Sequence, residues 1–151
     1  MNPSFTHTDA KAYARAHLKG IWAAALTPFQ PDGAIDEDGF RRNLRHWVDD
    51  LGIDGVFVSG KQGEFFSMSL AERKRSFDIA VAEVGGSRTI LSCSDQNLDT
   101  VIELARHAQA IGSDSIVVHA AFPLPTGRDA ARLLPHGERG GRHRHPALEP
   151  P

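Results

Sequence analysis

The sequence predicts an α/β fold in which short strands and longer helices alternate along the chain. Four continuous apolar runs of strand length are separated by segments whose apolar residues recur at the spacing of one helix face. Helices of this length are sufficient for the right-handed crossovers that join parallel strands. The repeating unit is compatible with a doubly wound sheet or with part of an eight-stranded β/α barrel. No Gly-x-Gly-x-x-Gly follows the first strand, which argues against a dinucleotide-binding fold.

Each predicted strand is an apolar run bounded by turn or polar residues. The four runs are residues 21–26, 55–59, 89–93 and 115–119. The first run reads Ile-Trp-Ala-Ala-Ala-Leu and is closed by Thr27-Pro28, a pattern typical of a strand in a parallel sheet covered on both faces. We therefore expect residues 21–26 to be buried on both sides.

Two helices are indicated before the second strand. Asp9 is expected to cap a short helix over residues 10–18, which Gly20 ends. Residues 36–51 form the second predicted helix, and Gly52 stands where a C-terminal cap belongs. Its expected buried face consists of Phe40, Leu44, Trp47, Val48 and Leu51.

Two more helices follow the second and third strands. Ser69 and Glu72 have the spacing of a capping box, in which each side chain bonds a free backbone amide of the other, so a helix should begin there and run to residue 84. The last helix is expected to begin at Asn97 or Asp99 and to run to residue 110.

Composition narrows the class of protein. A chain of 151 residues, 40% hydrophobic, is sufficient for one globular domain. A formal net charge of -2 provides no basic field for nucleic acid, so a small-molecule or protein partner is expected. The single cysteine, Cys93, cannot form an internal disulfide and is expected to be a small core residue. No apolar run reaches membrane-spanning length and no secretory signal is visible, so we expect a cytoplasmic protein.

Several spaced motifs occur together and in a fixed order. They are Ala25-Leu-Thr-Pro-Phe29, Asp32-Gly-x-Ile-Asp36, Gly52-x-Asp-Gly-Val-x-Val58, Gly60-x-x-Gly-Glu64, Leu70 with Glu72-Arg73, and Gly112-Ser-Asp114. This set resembles the dihydrodipicolinate synthase and N-acetylneuraminate lyase family over roughly residues 20–125. The resemblance implies the N-terminal half of a (β/α)₈ barrel, about four strand–helix units of a fold that is usually tetrameric. It also implies lyase or aldolase chemistry on pyruvate or another 2-oxo acid through a lysine Schiff base, with no cofactor and no metal.

The resemblance points to one loop as the substrate-binding site. Gly60, Lys61, Gln62 and Gly63 occupy the position where the family binds the carboxylate of the oxo acid, and Thr27 corresponds to a pocket residue. A turn that points several amides one way at the carboxyl end of a barrel strand forms an anion site. The family commonly has Thr or Ser at the two middle positions of this loop. In their place, the lysine can bind an acidic substrate as a cation and the glutamine amide can donate to a carboxylate.

Two further differences concern catalysis. Where some members have a relay tyrosine after the fourth strand, this chain has Ala120-Ala-Phe122, and Phe122 offers packing area in the pocket but no proton. The family's Schiff-base lysine and catalytic tyrosine lie on the sixth and fifth strands, whereas the similarity stops after the fourth. We therefore assign no catalytic residue in this chain and expect an inactive fragment of a lyase.

The last segment has an unusual composition. Residues 127–151 contain only amino acids whose codons can begin with C or G. This restriction suggests the hypothesis that the segment is out of frame in a GC-rich gene, which resequencing would decide. The alternative is a natural, basic, disordered tail. His143 and His145 lack a third ligand at suitable spacing, so a metal site is not expected there.

The chain is thus divided into a lead-in with a short helix (1–19), a half-barrel (20–126) and a tail (127–151). A second hypothesis is a half-barrel that acts as a binding or assembly module without catalysis. A third is an independent doubly wound domain, which would require an ordered tail. Four strands of a barrel leave two open edges and an uncovered inner face, so we expect the isolated chain to be poorly folded or to aggregate.

For four other residues the sequence predicts only a position or a structural role. Glu64 is expected to be structural and to bond nearby backbone. His119 ends an apolar strand and is expected to face either the barrel mouth or the core, with a hydrogen-bonded core role favoured. His46 and His107 lie on predicted helices and are expected at the surface.

Overall fold

A parallel sheet of four strands is the centre of the computed structural model, which describes residues 8–119. The strands are β1 (Trp22–Ala24), β2 (Gly55–Val58), β3 (Thr89–Ser92) and β4 (Ser115–Val117). The helices are α1 (Ala10–His17), α2 (Glu37–Arg45, continued as a π-helix over His46–Asp50), α3 (Leu70–Val84) and α4 (Leu98–Ala110). Short 3₁₀ turns occupy Phe65–Ser67 and Gly86–Arg88.

The strands lie in the order in which they occur in the sequence, β1-β2-β3-β4. A doubly wound sheet reverses its strand order at one point, whereas a barrel adds each new strand on the same side. The described sheet therefore matches part of a (β/α)₈ barrel and not the doubly wound alternative. The fold class predicted from the sequence is confirmed.

The core lies between one face of the sheet and the helices. Val56 and Val58 of β2 and Leu91 of β3 are fully buried on this face. The helices contribute Phe40 and Leu44 from α2, Phe77 and Ala80 from α3, and Leu104 from α4. The predicted helix faces also supply Val48 and Val84 to the core, and Trp47, Leu70 and Val81 pack against it while partly exposed.

The helix starts are determined by local hydrogen bonds. Asp36 accepts from the amide of Gly39 at 3.0 Å, which places the beginning of α2. The predicted capping box is present, since the amide of Ser69 donates to Glu72 Oε2 and the amide of Glu72 donates to Ser69 Oγ. Asn97 caps α4 by accepting from the amide of Asp99. Asp9 stands at the N-cap position of α1, but its side chain makes no capping hydrogen bond.

The expectation that residues 21–26 are buried on both faces was wrong. Ile21 and Leu26 are 67% and 57% exposed, and only Ala25 of this run is fully buried. Among the described residues, β1 pairs only with β2, so one edge of the strand and the sheet face away from the helices are open.

Leu51 was also predicted to be buried, and it is 58% exposed. The chain winds as a π-helix over His46–Asp50, and the amide of Leu51 bonds to the carbonyl of His46, five residues back. The wider turn keeps Val48 in the core and rotates Leu51 toward solvent.

Helices α2 and α3 are joined by ion pairs on their outer surface. Glu83 accepts from Arg41 at 2.7 Å and from Arg45 at 2.8 Å. Arg75 binds Glu37 through two nitrogens, at 2.7 and 2.6 Å. The hydrogen bond from Arg41 is the main reason why the pKa of Glu83 lies below its ordinary value.

Some of the predictions concern residues that the structure does not describe. They are residues 1–7 of the lead-in, Phe122 and the whole tail at 127–151. Within residues 8–119, no helix has the length and apolarity needed to cross a bilayer.

Candidate functional site

A cavity of about 800 Å³ lies at the carboxyl end of the sheet. Three loops and two flanking elements form its wall. The lining residues are Phe57 of β2, Lys61, Gln62, Phe65, Phe66 and Met68 after β2, Arg73 of α3, Ser94, Asp95 and Gln96 after β3, and His119 after β4. The carboxyl ends of parallel strands are the usual location of ligand sites in β/α folds.

The loop after β2 presents backbone donors that its own turn does not use. The amides of Gly63 and Glu64 close the turn by bonding the carbonyls of Gly60 and Lys61, each at 3.1 Å. Among the described residues, no hydrogen bond is donated by the amides of Lys61 or Gln62. Adjacent free amides can bind an anion when their N–H groups point the same way.

The two glycines of the loop are required by close packing. Neither has a positive φ. A β-carbon at position 60 would fall inside van der Waals contact with the ring of Phe57, and one at position 63 would lie 3.0 Å from the carbonyl oxygen of Ala25. The left-handed residues are instead Ser59 and Glu64, with φ of 52° and 56°, on either side of the loop.

Thr27 holds the loop from behind. It is 7% exposed, and its hydroxyl donates to the carbonyl oxygen of Gly63 at 2.9 Å. This bond connects the segment after β1 to the loop after β2. Of the predicted substrate-binding residues, Lys61 and Gln62 line the cavity, whereas Thr27, Gly60 and Gly63 lie behind it. Contact between Thr27 and a substrate stays a prediction.

Lys61 is the only one of the chain's four lysines that lines the cavity. It is exposed and takes part in none of the ion pairs among residues 8–119. Asp95, the one carboxylate in the described wall, is occupied by Arg73 at 3.1 Å and by the amide of Asn97 at 2.9 Å. The ammonium group of Lys61 is therefore available to a ligand.

Arg73 shapes the wall, and sequence reasoning did not single it out. It is 2% exposed and donates to the carbonyls of Ser92 and Ser94 at 3.0 and 2.8 Å, with its guanidinium over the ring of Phe65. Burial lowers its pKa. A signal was present, because position 73 falls on the same helical face as the buried residues of α3.

Ser94 and His119 form a pair at the end of β3 and β4. Ser94 Oγ accepts from the amide of His119 at 2.9 Å and from the hydroxyl of Ser92 at 3.3 Å. Both lone pairs are then occupied, so the Ser94 hydroxyl proton points to His119 Nδ1, 3.2 Å away. A neutral His119 consequently carries its proton on Nε2.

The expected core position of His119 was wrong. The residue is exposed and lines the cavity, because β4 is an edge strand of the described sheet and no described element packs over its end. His46 is exposed as predicted and contacts Asp50 at 2.7 Å. His107 is half-buried, and it connects α4 to Asp78 of α3 at 2.7 Å.

Cys93 and Glu64 are the last two residues for which the sequence predicted a structural role. Cys93 is fully buried as expected, and burial raises the pKa of its thiol to about 12, which makes it a poor nucleophile. Glu64 is exposed, and its backbone makes its hydrogen bonds in the loop: its amide donates to the Lys61 carbonyl, and its carbonyl accepts from the Ser67 amide.

The described site is suited to binding an anion. It combines two free amides, one lysine, a histidine donor and amide side chains with an apolar wall. Within residues 8–119, no group of His, Cys, Asp and Glu side chains is arranged to hold a metal ion. An anionic group is the kind of ligand that such donors can bind.

Comparison with known proteins identifies the family. Residues 17–122 match the model of the Dihydrodipicolinate synthetase family. The N-acetylneuraminate lyase of Clostridium perfringens is 41% identical over 106 residues, which cover 70% of this chain and 37% of that enzyme. The chain thus spans less than two-fifths of the length of this curated relative.

Solved structures agree with this match. CdNal from Clostridium difficile, determined in complex with mannosamine, superposes with a TM-score of 0.67 at 37% identity, over 70% of this chain and 37% of that one. N-acetylneuraminate lyase from Fusobacterium nucleatum, complexed with pyruvate, gives 0.65 at 33% identity, over 74% and 39%. This chain belongs to the dihydrodipicolinate synthetase family of lyases.

Proposed function

We propose that the chain supplies the carboxylate-binding part of a lyase site for pyruvate or a related 2-oxo acid. The observation that carries this proposal is the pair of free amides at Lys61 and Gln62, beside a cavity at the carboxyl end of a parallel sheet. Two adjacent N–H groups match the two oxygens of a carboxylate. The relative from Fusobacterium nucleatum that was solved with pyruvate supports the same ligand class.

We further propose that this chain binds the oxo acid without forming a Schiff base. A lysine nucleophile must lose its proton, which requires a desolvated or otherwise perturbed environment. Lys11 and Lys19 precede β1, and Lys74 is paired with Glu103 on the outer side of the sheet. Lys61 lines the cavity but is exposed to solvent. The chain by itself is therefore proposed to be catalytically inactive.

Borohydride trapping together with calorimetry tests both parts. The chain is titrated with pyruvate, and a parallel sample is reduced with borohydride and analysed by intact mass spectrometry. We expect measurable binding and no mass increase. A covalent adduct contradicts the non-covalent part, and a matched Lys61→Arg variant, which keeps the charge, shows whether position 61 formed it. Absence of any binding contradicts the carboxylate site itself.

A half-barrel that acts in assembly is the second candidate function. The observation that favours it is the exposure of Leu26 near β1 and Ile116 in β4, the two edge strands of the described sheet. Open strand edges and uncovered apolar residues promote association with another chain. Under this proposal the chain forms homo-oligomers, as the tetrameric state implied by the resemblance suggests. Sedimentation velocity tests it, and a monomer at all concentrations would contradict it.

A further inference from the structure

We propose that the cavity takes a 2-oxo acid carrying a second acidic group, and that Lys61 Nζ binds this second group. The inference rests on the proposed function, in which the amides of Lys61 and Gln62 hold the first carboxylate. It adds the chemical class of the substrate: a 2-oxo dicarboxylate in place of pyruvate.

The charges of the described wall favour an anion. Asp95 is the single carboxylate there, and its two oxygens are occupied by the Arg73 guanidinium and the Asn97 amide. Arg73 in turn donates hydrogen bonds to Asp95 and to two backbone carbonyls. The charge of Lys61 has no counterpart among the described residues that line the cavity. A ligand carboxylate would provide it through a charge-assisted hydrogen bond.

The remaining polar groups are mostly hydrogen-bond donors. His119 has its Nδ1 occupied by the Ser94 hydroxyl, which leaves Nε2–H for a ligand. Gln62 adds an exposed side-chain amide. Lys61 lines the cavity, its backbone amide donates no hydrogen bond among the described residues, and its four-carbon stem separates this amide from the ammonium group. One residue can therefore bind two separate acidic groups of one ligand.

The size of the cavity permits a longer ligand. Ligand pockets of several hundred Å³ are typical for molecules much larger than pyruvate. The cavity of about 800 Å³ has room for additional atoms beyond the oxo acid group.

The test compares two ligands of equal shape. 2-Oxoglutarate is titrated beside 5-methyl-2-oxohexanoate, in which an isopropyl group replaces the distal carboxylate. We expect the unaltered chain to bind 2-oxoglutarate about tenfold more tightly, the order of effect of one charged hydrogen bond. Lys61→Met should abolish the preference, while Lys61→Arg should retain most of it. Lys11→Met, a change on α1 outside the cavity, is the matched control and should retain all of it.

The outcomes separate the two proposals. Binding of pyruvate with equal affinity for the two longer acids overturns this inference and leaves the proposed function intact. A preference for 2-oxoglutarate that survives Lys61→Met also overturns it, because another group must then bind the distal carboxylate. Failure to bind any of the three acids overturns the proposed function and this inference together.

Discussion

The hydroxyl of Thr27 donates a 2.9 Å hydrogen bond to the carbonyl oxygen of Gly63, and both residues are buried. The bond joins the end of β1 to the loop that presents the free amides of Lys61 and Gln62. The position of the proposed carboxylate site therefore depends on contact between the segments that follow two neighbouring strands.

Replacement of Thr27 by Val should destabilise the chain and weaken oxo acid binding. The change keeps the shape of the side chain and leaves a buried carbonyl without its donor, which costs about 1–3 kcal/mol. Urea unfolding at fixed protein concentration and pyruvate titration measure the two effects. Thr27→Ser, which keeps the hydroxyl, is the control and should retain most of the stability and most of the affinity for pyruvate. If Thr27→Val and Thr27→Ser lose the same amount of stability and affinity, the hydrogen bond has no role.

Gly60→Ala should move the loop or the ring of Phe57. The new methyl group would overlap that ring, and overpacking of this kind costs about 1–3 kcal/mol. We expect a lower unfolding midpoint and weaker binding of pyruvate. Combining the change with Phe57→Leu should recover part of the loss. If the double variant loses the sum of the two single effects, the two sites do not interact.

Arg73→Met should be the most destabilising of these changes. It leaves the carbonyls of Ser92 and Ser94 and one oxygen of the half-buried Asp95 without their shared donor, and each buried acceptor left without a partner costs about 1–3 kcal/mol. Urea unfolding measures the loss. Arg75→Met, at an exposed position of the same helix, is the comparison. Losses of similar size at both positions would contradict the assigned role of Arg73.

Stability should fall at acidic pH in a manner that depends on Glu83. Its hydrogen bonds with Arg41 and Arg45 lower its pKa below the ordinary value of 4.5, so the unfolded chain takes up a proton before the folded chain does. Its stabilising contribution is therefore complete above pH 4.5 and is lost as the pH falls through the lowered value. Glu83→Gln should reduce the slope of stability against pH in this range. An unchanged slope would contradict the assignment.

Self-association should occur through the edges of the sheet. Leu26→Lys and Ile116→Lys place charges on exposed apolar positions near the two edge strands, which should reduce pairing between chains. Sedimentation velocity over a range of concentrations measures the effect. Phe66→Lys, an exposed apolar position on a loop, is the control that tests whether any added charge suffices. A sharp cooperative melt of a monomeric unaltered chain would contradict this prediction.

Much of the fold could be predicted because its signals are local. The capping box of Ser69 and Glu72 lies within four consecutive residues, and the pair together indicates the start of α3. Helical spacing likewise placed Phe40 and Leu44 in the core. The position of the loop at residues 60–64 beside a cavity followed from the resemblance, since glycine spacing alone is compatible with many turns.

The errors concern residues whose surroundings are set by distant parts of the chain. Leu26 and His119 were expected in the interior because their strands are apolar, but both lie next to open edges of the described sheet. Arg73 was overlooked because its burial depends on carbonyls about twenty residues further along the chain. The position of Arg73 on the apolar face of α3 was the feature of the sequence that indicated its burial.

Amide NMR provides the most direct test of the carboxylate site. The ¹⁵N-labelled chain is titrated with pyruvate and, as a control, with pyruvamide, which has the same size but lacks the carboxylate. We predict saturable shifts of the Lys61 and Gln62 backbone amides with pyruvate and much smaller ones with pyruvamide. Saturable binding of pyruvate that leaves these two resonances unmoved, or equal shifts with both compounds, would contradict the account.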